Sequence, residues 1–177
     1  SISGNHSKQR ISKGQQVQRP IHVVHGDYTL TSAPGRLTDL SRPPSGNDTL
    51  LSILKPGKSL IKPEEAKRTL NGGRFTIVNV WRNITDTPVL IHPIAICDAR
   101  SVDPKDLVVL QIHYSNRIGE NYLAKYASDH CWFYYPAMTC DEVLLIKQWD
   151  SWGTLVQKNG TQPNASSING QCSFSLH

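Results

Sequence analysis

A mainly β domain, built as an antiparallel barrel or sandwich, is the fold class this sequence predicts. Three observations carry it. Short runs rich in β-branched and aromatic residues recur along the chain, clusters of Gly, Pro, Asn and Asp separate them, and only one stretch carries a full set of helix signals.

Taken in order, residues 1–18 are polar and basic with no apolar period and stand apart as an N-terminal segment; one domain is expected over 19–177. RPIHVVHGDYTL (19–30) reads as a strand running into a polar exit. TSAPGRLTDLSRPPSGNDT (31–49) reads as loop, because Pro, Gly, Ser, Asn and Asp dominate it. KPEEAKRTLNGG (62–73) predicts a short helix: Pro63 suits its first turn, Glu64 and Glu65 its positive end, and Gly72 and Gly73 its stop.

The remainder is strand-rich. RFTIVNVWRNI (74–84) alternates, with Phe75, Ile77, Asn79 and Trp81 on one face and Thr76, Val78, Val80 and Arg82 on the other. PVLIHPIAICDA (88–99) is a second apolar run that Pro93 should bend or push to an edge. LVVLQIHYSN (107–116), ENYLAKYA (120–127) and CWFYYPAM (131–138) follow, and the aromatic cluster of the last is expected in the core. EVLLIKQWDS (142–151) suits a strand, although its period also allows a helical turn. The stretch 151–171 is mostly loop, and CSFSLH (172–177) alternates up to His177.

A chain of 177 residues suits a single domain, but at 38% hydrophobic its core is expected to be modest or incomplete. The net charge of +5 comes from scattered basic residues rather than a basic stripe with stacking aromatics, so no nucleic-acid partner is expected. No apolar run reaches the 18 residues of a membrane-spanning helix, so no membrane partner is expected either.

The four cysteines, Cys97, Cys131, Cys140 and Cys172, contain no C-x-x-C pair, which argues against a structural zinc site. Cys97, with no activating cation nearby in sequence, reads as a buried thiol. An even count permits two disulfides. N-x-[ST] sequons at Asn5, Asn47, Asn83, Asn159 and Asn164 add to that a secreted, disulfide-bonded β-rich glycoprotein as one alternative. No leader-peptide pattern is visible, and the favoured expectation is reduced thiols in the cytoplasm. The first residue is Ser1 rather than Met, so processing or a longer parent chain is expected.

The polar exit of the first strand contains His25-Gly26-Asp27. Side chains two apart on a strand share a face, so the imidazole and the carboxylate can converge. Joined by one distant histidine they would form a two-His-one-carboxylate triad, which leaves positions on Fe(II) open. Alone, the same three residues equally describe a hydrogen-bonded strand end. His22 is an odd number of positions away and faces the other side of a regular strand. His92, His113, His130 and His177 remain as third-ligand candidates.

The ordered blocks HGDYT, RFTIVNVWRNI, VLIHPIAICDARSV, DLVVLQIHYSNRIGENYLAKY, HCWFYYPAMTCDEVLLIKQWDS and CSFSLH resemble the fungal gibberellin-desaturase-like family. This family holds the hydroxylase/desaturase proteins of secondary-metabolite clusters and a bacterial cephalosporin methoxylation protein. The resemblance covers most of 19–177. It implies a double-stranded β-helix, a jelly-roll-like antiparallel barrel, and a non-haem oxygenase using Fe(II) and 2-oxoglutarate on a small-molecule substrate. It matches His25 and Asp27 to the family's H-x-D, and His177, in an F-x-x-H context with Phe174, to the third ligand. The implied outcome is hydroxylation or desaturation, with 2-oxoglutarate converted to succinate.

Family members extend beyond both ends of this sequence. Their 2-oxoglutarate arginine is expected in an R-x-S segment after the second histidine, where this sequence has ended. A fragment, or a non-catalytic barrel serving as a binding or partner subunit, is therefore a second expectation. Arg82, in the distinctive NVWR block, is the first substitute guanidinium for the co-substrate, with Arg36 and Arg117 behind it; Asn79 and Trp81 are the substrate-contact candidates, against ordinary packing of Trp81. Asp98, Arg100, Asp141, Glu142, Lys147 and Asp150 suit either a buried ionic network or surface pairing.

Overall fold

The computed structural model describes residues 9–10, 16–17, 22–46, 48–113 and 118–153. These residues are mainly β, and every strand pairing among them is antiparallel. The elements run β1 (Gln9–Arg10), β2 (Gln16–Val17), β3 (His25–Gly26), α1 (Ser32–Leu40), α2 (Pro63–Leu70), β4 (Thr76–Arg82), β5 (Ala95–Cys97), β6 (Leu107–His113), β7 (Ile118–Ala124), β8 (Trp132–Tyr134) and β9 (Val143–Asp150), with three short 3-10 turns between them. β1 and β2 form a small ribbon, β7 is flanked by β3 and β6, β4 pairs with β9, and β5 pairs with β8.

α2 forms where its local signals place it. Pro63 opens it, Glu64 and Glu65 lie in its first turn, and Lys67 and Arg68 in its last, each on the side the helix dipole favours. Gly72, at φ +121°, lets the chain leave through a backbone conformation that a Cβ would strain. β4 keeps its alternation: Ile77 and Trp81 are half-buried, while Thr76, Val78, Val80 and Arg82 are exposed. The ambiguous segment near residue 145 is a strand, since β9 pairs with β4 along its whole length. One bulge interrupts the pair, where Ile77↔Trp149 gives way to Val78↔Lys147 and Gln148 becomes the extra residue.

Three expectations change. The segment read as loop contains helix α1. Pro34 falls in its first turn, where an amide proton has no intrahelical partner to lose, and Ala33 is fully buried against Trp149. The long first strand contracts to His25–Gly26, paired with Leu123 and Tyr122 of β7. The aromatic cluster is not core: Phe133, Tyr134 and Tyr135 are each more than half exposed, because β8 has one neighbour, three-residue β5, and no described element covers them.

The core is modest, as the composition implies. One cluster joins Cys97 and Tyr122, with Val24, Val102, Leu107 and Ala124 around them. The other joins Ala33 and Trp149, with Tyr28, Leu30, Phe75 and Ile77. The second pins the chain just after Asp27 onto the β4/β9 sheet. Among the described residues, the charged side chains singled out in the sequence form no single network. Asp98 pairs locally with Arg100, and Glu142 accepts from Thr139. Asp150 is buried with Arg74, which reaches it through two hydrogen bonds of 3.0 and 2.6 Å, and with Lys147 at 3.8 Å.

Candidate metal centre

β3 ends at Gly26, held against Tyr122, and the chain bends at once. His25 and Asp27 turn toward each other across this bend, with Nε2 3.6 Å from Oδ1. Nδ1 of His25 lies 2.9 Å from the carbonyl oxygen of Val23. A carbonyl only accepts, so Nδ1 carries the proton and donates it. In the neutral ring, Nε2 then presents its lone pair to the Asp27 carboxylate. Two electron-rich atoms at this distance are stable together when positive charge lies between them, either a ring proton or a cation. A cation held by His25 and Asp27 would supply that charge.

β4 brings a third side chain to the pair. Asn79, 52 residues from Asp27, donates from Nδ2 to Asp27 Oδ2 at 3.2 Å. The other carboxylate oxygen remains toward His25.

A cleft of about 860 Å³ opens beside Asp27, with Tyr28, Arg36, Asp48, Asn79 and Glu120 among its lining residues. Arg36 comes from α1 and meets Asp48 at 2.6 Å. That hydrogen bond raises the guanidinium's pKa against the opposing pull of burial. Burial pushes the Tyr28 phenol up, and Asp27 and Asp48 push it the same way against Arg36. It is therefore a protonated donor at neutral pH. Glu120 of β7 accepts from Thr29 Oγ1 at 2.9 Å and from Gln111 Nε2 at 3.1 Å, and its carbonyl accepts from Ser32 Oγ at 3.0 Å. These bonds tie the start of α1 to β7 and set one wall of the cleft.

Of the residues the sequence singled out, His25, Asp27 and Asn79 come together. Trp81 is half-buried on β4 and does not line the cleft. Arg82 is exposed, three positions from Asn79 and so on the opposite face of the strand, away from the cleft. Arg36 does line it. His177 and Arg117 lie outside the described residues.

The other described histidines stand elsewhere. His22 and His92 meet edge to face at 5.2 Å, His130 sits beside Asp106 at 3.4 Å, and His113 is exposed at the end of β6. Among the described residues, no group of three His, Cys, Asp or Glu side chains could hold a metal. Tyr28, Asp48, Gln111 and Glu120 went unnoticed in the sequence; only the adjacency of Tyr28 to Asp27 marked any of them.

Three cysteines, Cys97, Cys131 and Cys140, are free thiols, and Cys97 is buried as expected, with its pKa raised by that burial. Asn83, one of the five sequon asparagines, is buried with its amide nitrogen committed to the carbonyls of Thr87 and Met138, so no glycan fits there. Among the described residues no helix is long and apolar enough to cross a membrane.

Comparison with known proteins adds lineage to this geometry. The model of a family described as "Oxidoreductase/YMDC permease-like domain" matches residues 57–162. An uncharacterized protein from the dcmA 3′ region of Methylophilus leisingeri is 45% identical over 83 residues, covering 46% of this chain and 38% of its own. The hydroxylase/desaturase efuI of Hormonema carpetanum is 29% identical over 154 residues, covering 77% of this chain and 49% of its own. The Fe(II)/2-oxoglutarate-dependent dioxygenase nvfI of Aspergillus novofumigatus is 33% identical over 90 residues, covering 50% and 32%. A solved structure of the iron and alpha-ketoglutarate-dependent endoperoxidase NvfI superposes with a TM-score of 0.64 at 22% identity, over 96% of this chain and 49% of that one. That likeness is one of fold, and it places the antiparallel strands described above in a jelly-roll-like architecture. The chain spans half or less of the length of these curated relatives.

Proposed function

This chain belongs to the family described as "Oxidoreductase/YMDC permease-like domain", and from that premise we propose that it carries part of the iron site of an Fe(II)/2-oxoglutarate-dependent hydroxylase or desaturase acting on a small secondary metabolite. The observation that supports it most is the His25–Asp27 pair, with its imidazole tautomer set by Val23 and its donors 3.6 Å apart. A metal-binding histidine typically donates its other ring N–H to a carbonyl in this way. A nitrogen and a carboxylate oxygen are the donors that non-haem Fe(II) takes. His25 and Asp27 supply two donors suited to the metal, and His177, outside the described residues, is the third donor in this reading.

Bound iron and 2-oxoglutarate would supply a two-electron oxidation by dioxygen, with 2-oxoglutarate leaving as succinate and carbon dioxide. The chain's own residues prepare the place for it. Val23 holds the His25 ring in the tautomer that leaves Nε2 basic. Gly26, buried at its pairing with β7, immediately precedes the bend across which His25 and Asp27 meet. Tyr28 and Arg36 offer hydrogen-bond donors to a substrate lying in the cleft, and Arg36 takes the co-substrate role in preference to exposed Arg82. The free cysteines and the occupied Asn83 amide favour this reading, with a cytoplasmic location, over a disulfide-bonded glycoprotein.

The test is anaerobic Fe(II) titration of the whole chain, followed by 2-oxoglutarate. One equivalent of Fe(II) should bind, and a visible charge-transfer band should grow as 2-oxoglutarate chelates it. His25→Ala and Asp27→Ala should each abolish binding. Unchanged affinity in both variants would sink the site. Iron binding without succinate formation in air would favour the non-catalytic, partner-subunit reading.

A further inference from the structure

Asn79, a substrate-contact candidate that lines the cleft, also reaches a metal-ligand candidate. Its amide nitrogen lies 3.2 Å from Asp27 Oδ2, while Oδ1 of the same carboxylate faces His25 Nε2 at 3.6 Å. We propose that Asn79 is a positioning residue for the metal site, fixing Asp27 as a one-oxygen ligand whose free oxygen points at the partner imidazole. The inference rests on the iron reading above.

Three observations carry it. Asp27 lies past the end of β3, in a bend with no ladder hydrogen bonds of its own, so its side chain needs support from elsewhere. Asn79 stands in mid-strand on β4, paired with Ile146 of β9 and flanked by half-buried Ile77 and Trp81. Its backbone is therefore held by a full ladder, while its own side chain is exposed toward the cleft. Asn is also the apt residue for the task. Its NH₂ donates to the outer oxygen without adding charge, so the carboxylate keeps its negative charge for the metal, whereas a Lys or Arg there would compete with the cation. Ligating carboxylates are characteristically hydrogen-bonded in this manner, and losing the partner typically costs about 10–100-fold in metal affinity.

The experiment is Co(II) titration of the whole chain at neutral pH, read by the visible ligand-field spectrum. Wild type is compared with Asp27→Ala, Asn79→Leu and Asn79→Ala, and thermal unfolding is recorded for each. Asn79→Leu keeps roughly the shape and removes the donor. Asn79→Ala removes the amide at an exposed position and introduces no bulk, so it remains informative if the branched side chain is not accommodated. The expected result is a loss of Co(II) affinity of about 10–100-fold with an altered ligand-field spectrum in both Asn79 variants, at an unfolding midpoint close to wild type. A merely structural role would not move the spectrum. Wild-type affinity and spectrum in the Asn79 variants, while Asp27→Ala loses the metal, would overturn the positioning role and leave the iron reading standing. No Co(II) binding by wild type, or undiminished binding in Asp27→Ala, would overturn both.

Discussion

At the scale of single residues, Asp150 shows how a buried charge is made tolerable. Burial pushes its pKa up, but the two hydrogen bonds from Arg74, the Trp152 amide and the charge of Lys147 outweigh that and hold it below 3.8. A carboxylate depressed in the folded state contributes stability that is complete above its unfolded pKa. That contribution is lost as pH falls through the folded value. Asp150→Asn should therefore cost about 2 kcal/mol at pH 7, the scale of hydrogen bonds to a charged group. The difference from wild type should shrink below about pH 3.8. Unfolding midpoints at pH 7, 4 and 2.5 check this, and a constant gap across that range would remove Asp150 as the titrating group. The pair also marks the limit of reading residues from sequence. His25 and Asp27 were legible together because their relation is local, two positions on one strand end. Arg74 and Asp150 are 76 positions apart, and Asn79 and Asp27 are 52 apart. The face that Asn79 occupies followed from alternation, but its partner depends on which strands the topology brings together.

At the scale of elements, the same division holds. α2 was legible because Pro63, Glu64, Glu65 and Gly72 signal within one short stretch. α1 was not, because Pro34 and Gly35 are breakers locally and the helix is held by Ala33 docking on Trp149, far along the chain. The extent of β9 was readable, but its bulge at Gln148 was not, since a register slip belongs to two strands at once. Trp149 is thus central to the cluster where α1, β4 and the stretch after Asp27 meet: it is 1% exposed and clusters with Ala33, and Tyr28, Leu30, Phe75 and Ile77 pack around the two. Trp149→Ala should cost about 3–5 kcal/mol, the range for emptying a buried aromatic site. It should also lower the unfolding midpoint by roughly 10 °C for a chain of this size. Trp152→Ala, half-buried beyond the end of β9, should cost clearly less. Equal losses in the two variants would show that Trp149 is not the keystone.

At the scale of the whole molecule, the distribution of apolar surface is the unusual feature. Few apolar side chains are buried, and many large ones face solvent. They are not scattered singly. Val80 pairs with Leu145 across the β4/β9 ladder, Val78 and Val143 lie in the adjoining registers, and side chains paired across a ladder share a face. Val80 is 66% and Leu145 71% exposed, so this face carries an open apolar strip, bordered by Lys147 and Arg82 and the reverse of Ile77 and Trp81 behind it. Sheets of jelly-roll-like folds bury such faces against a second sheet about 10 Å away. An open face of this kind should bind a hydrophobic dye such as anilinonaphthalene sulfonate, as contiguous exposed apolar patches do. Val80→Thr with Leu145→Thr keeps the β-branched or β-tolerant shape and removes apolar surface. It should roughly halve dye fluorescence while shifting stability by no more than about 0.5 kcal/mol, the usual limit at exposed positions. Undiminished fluorescence would place the dye elsewhere, with exposed Phe133, Tyr134 and Tyr135 as the next surface to test. A large loss of stability would instead show that the Val80–Leu145 pair is covered in solution, and that the face is already doing the work of a core.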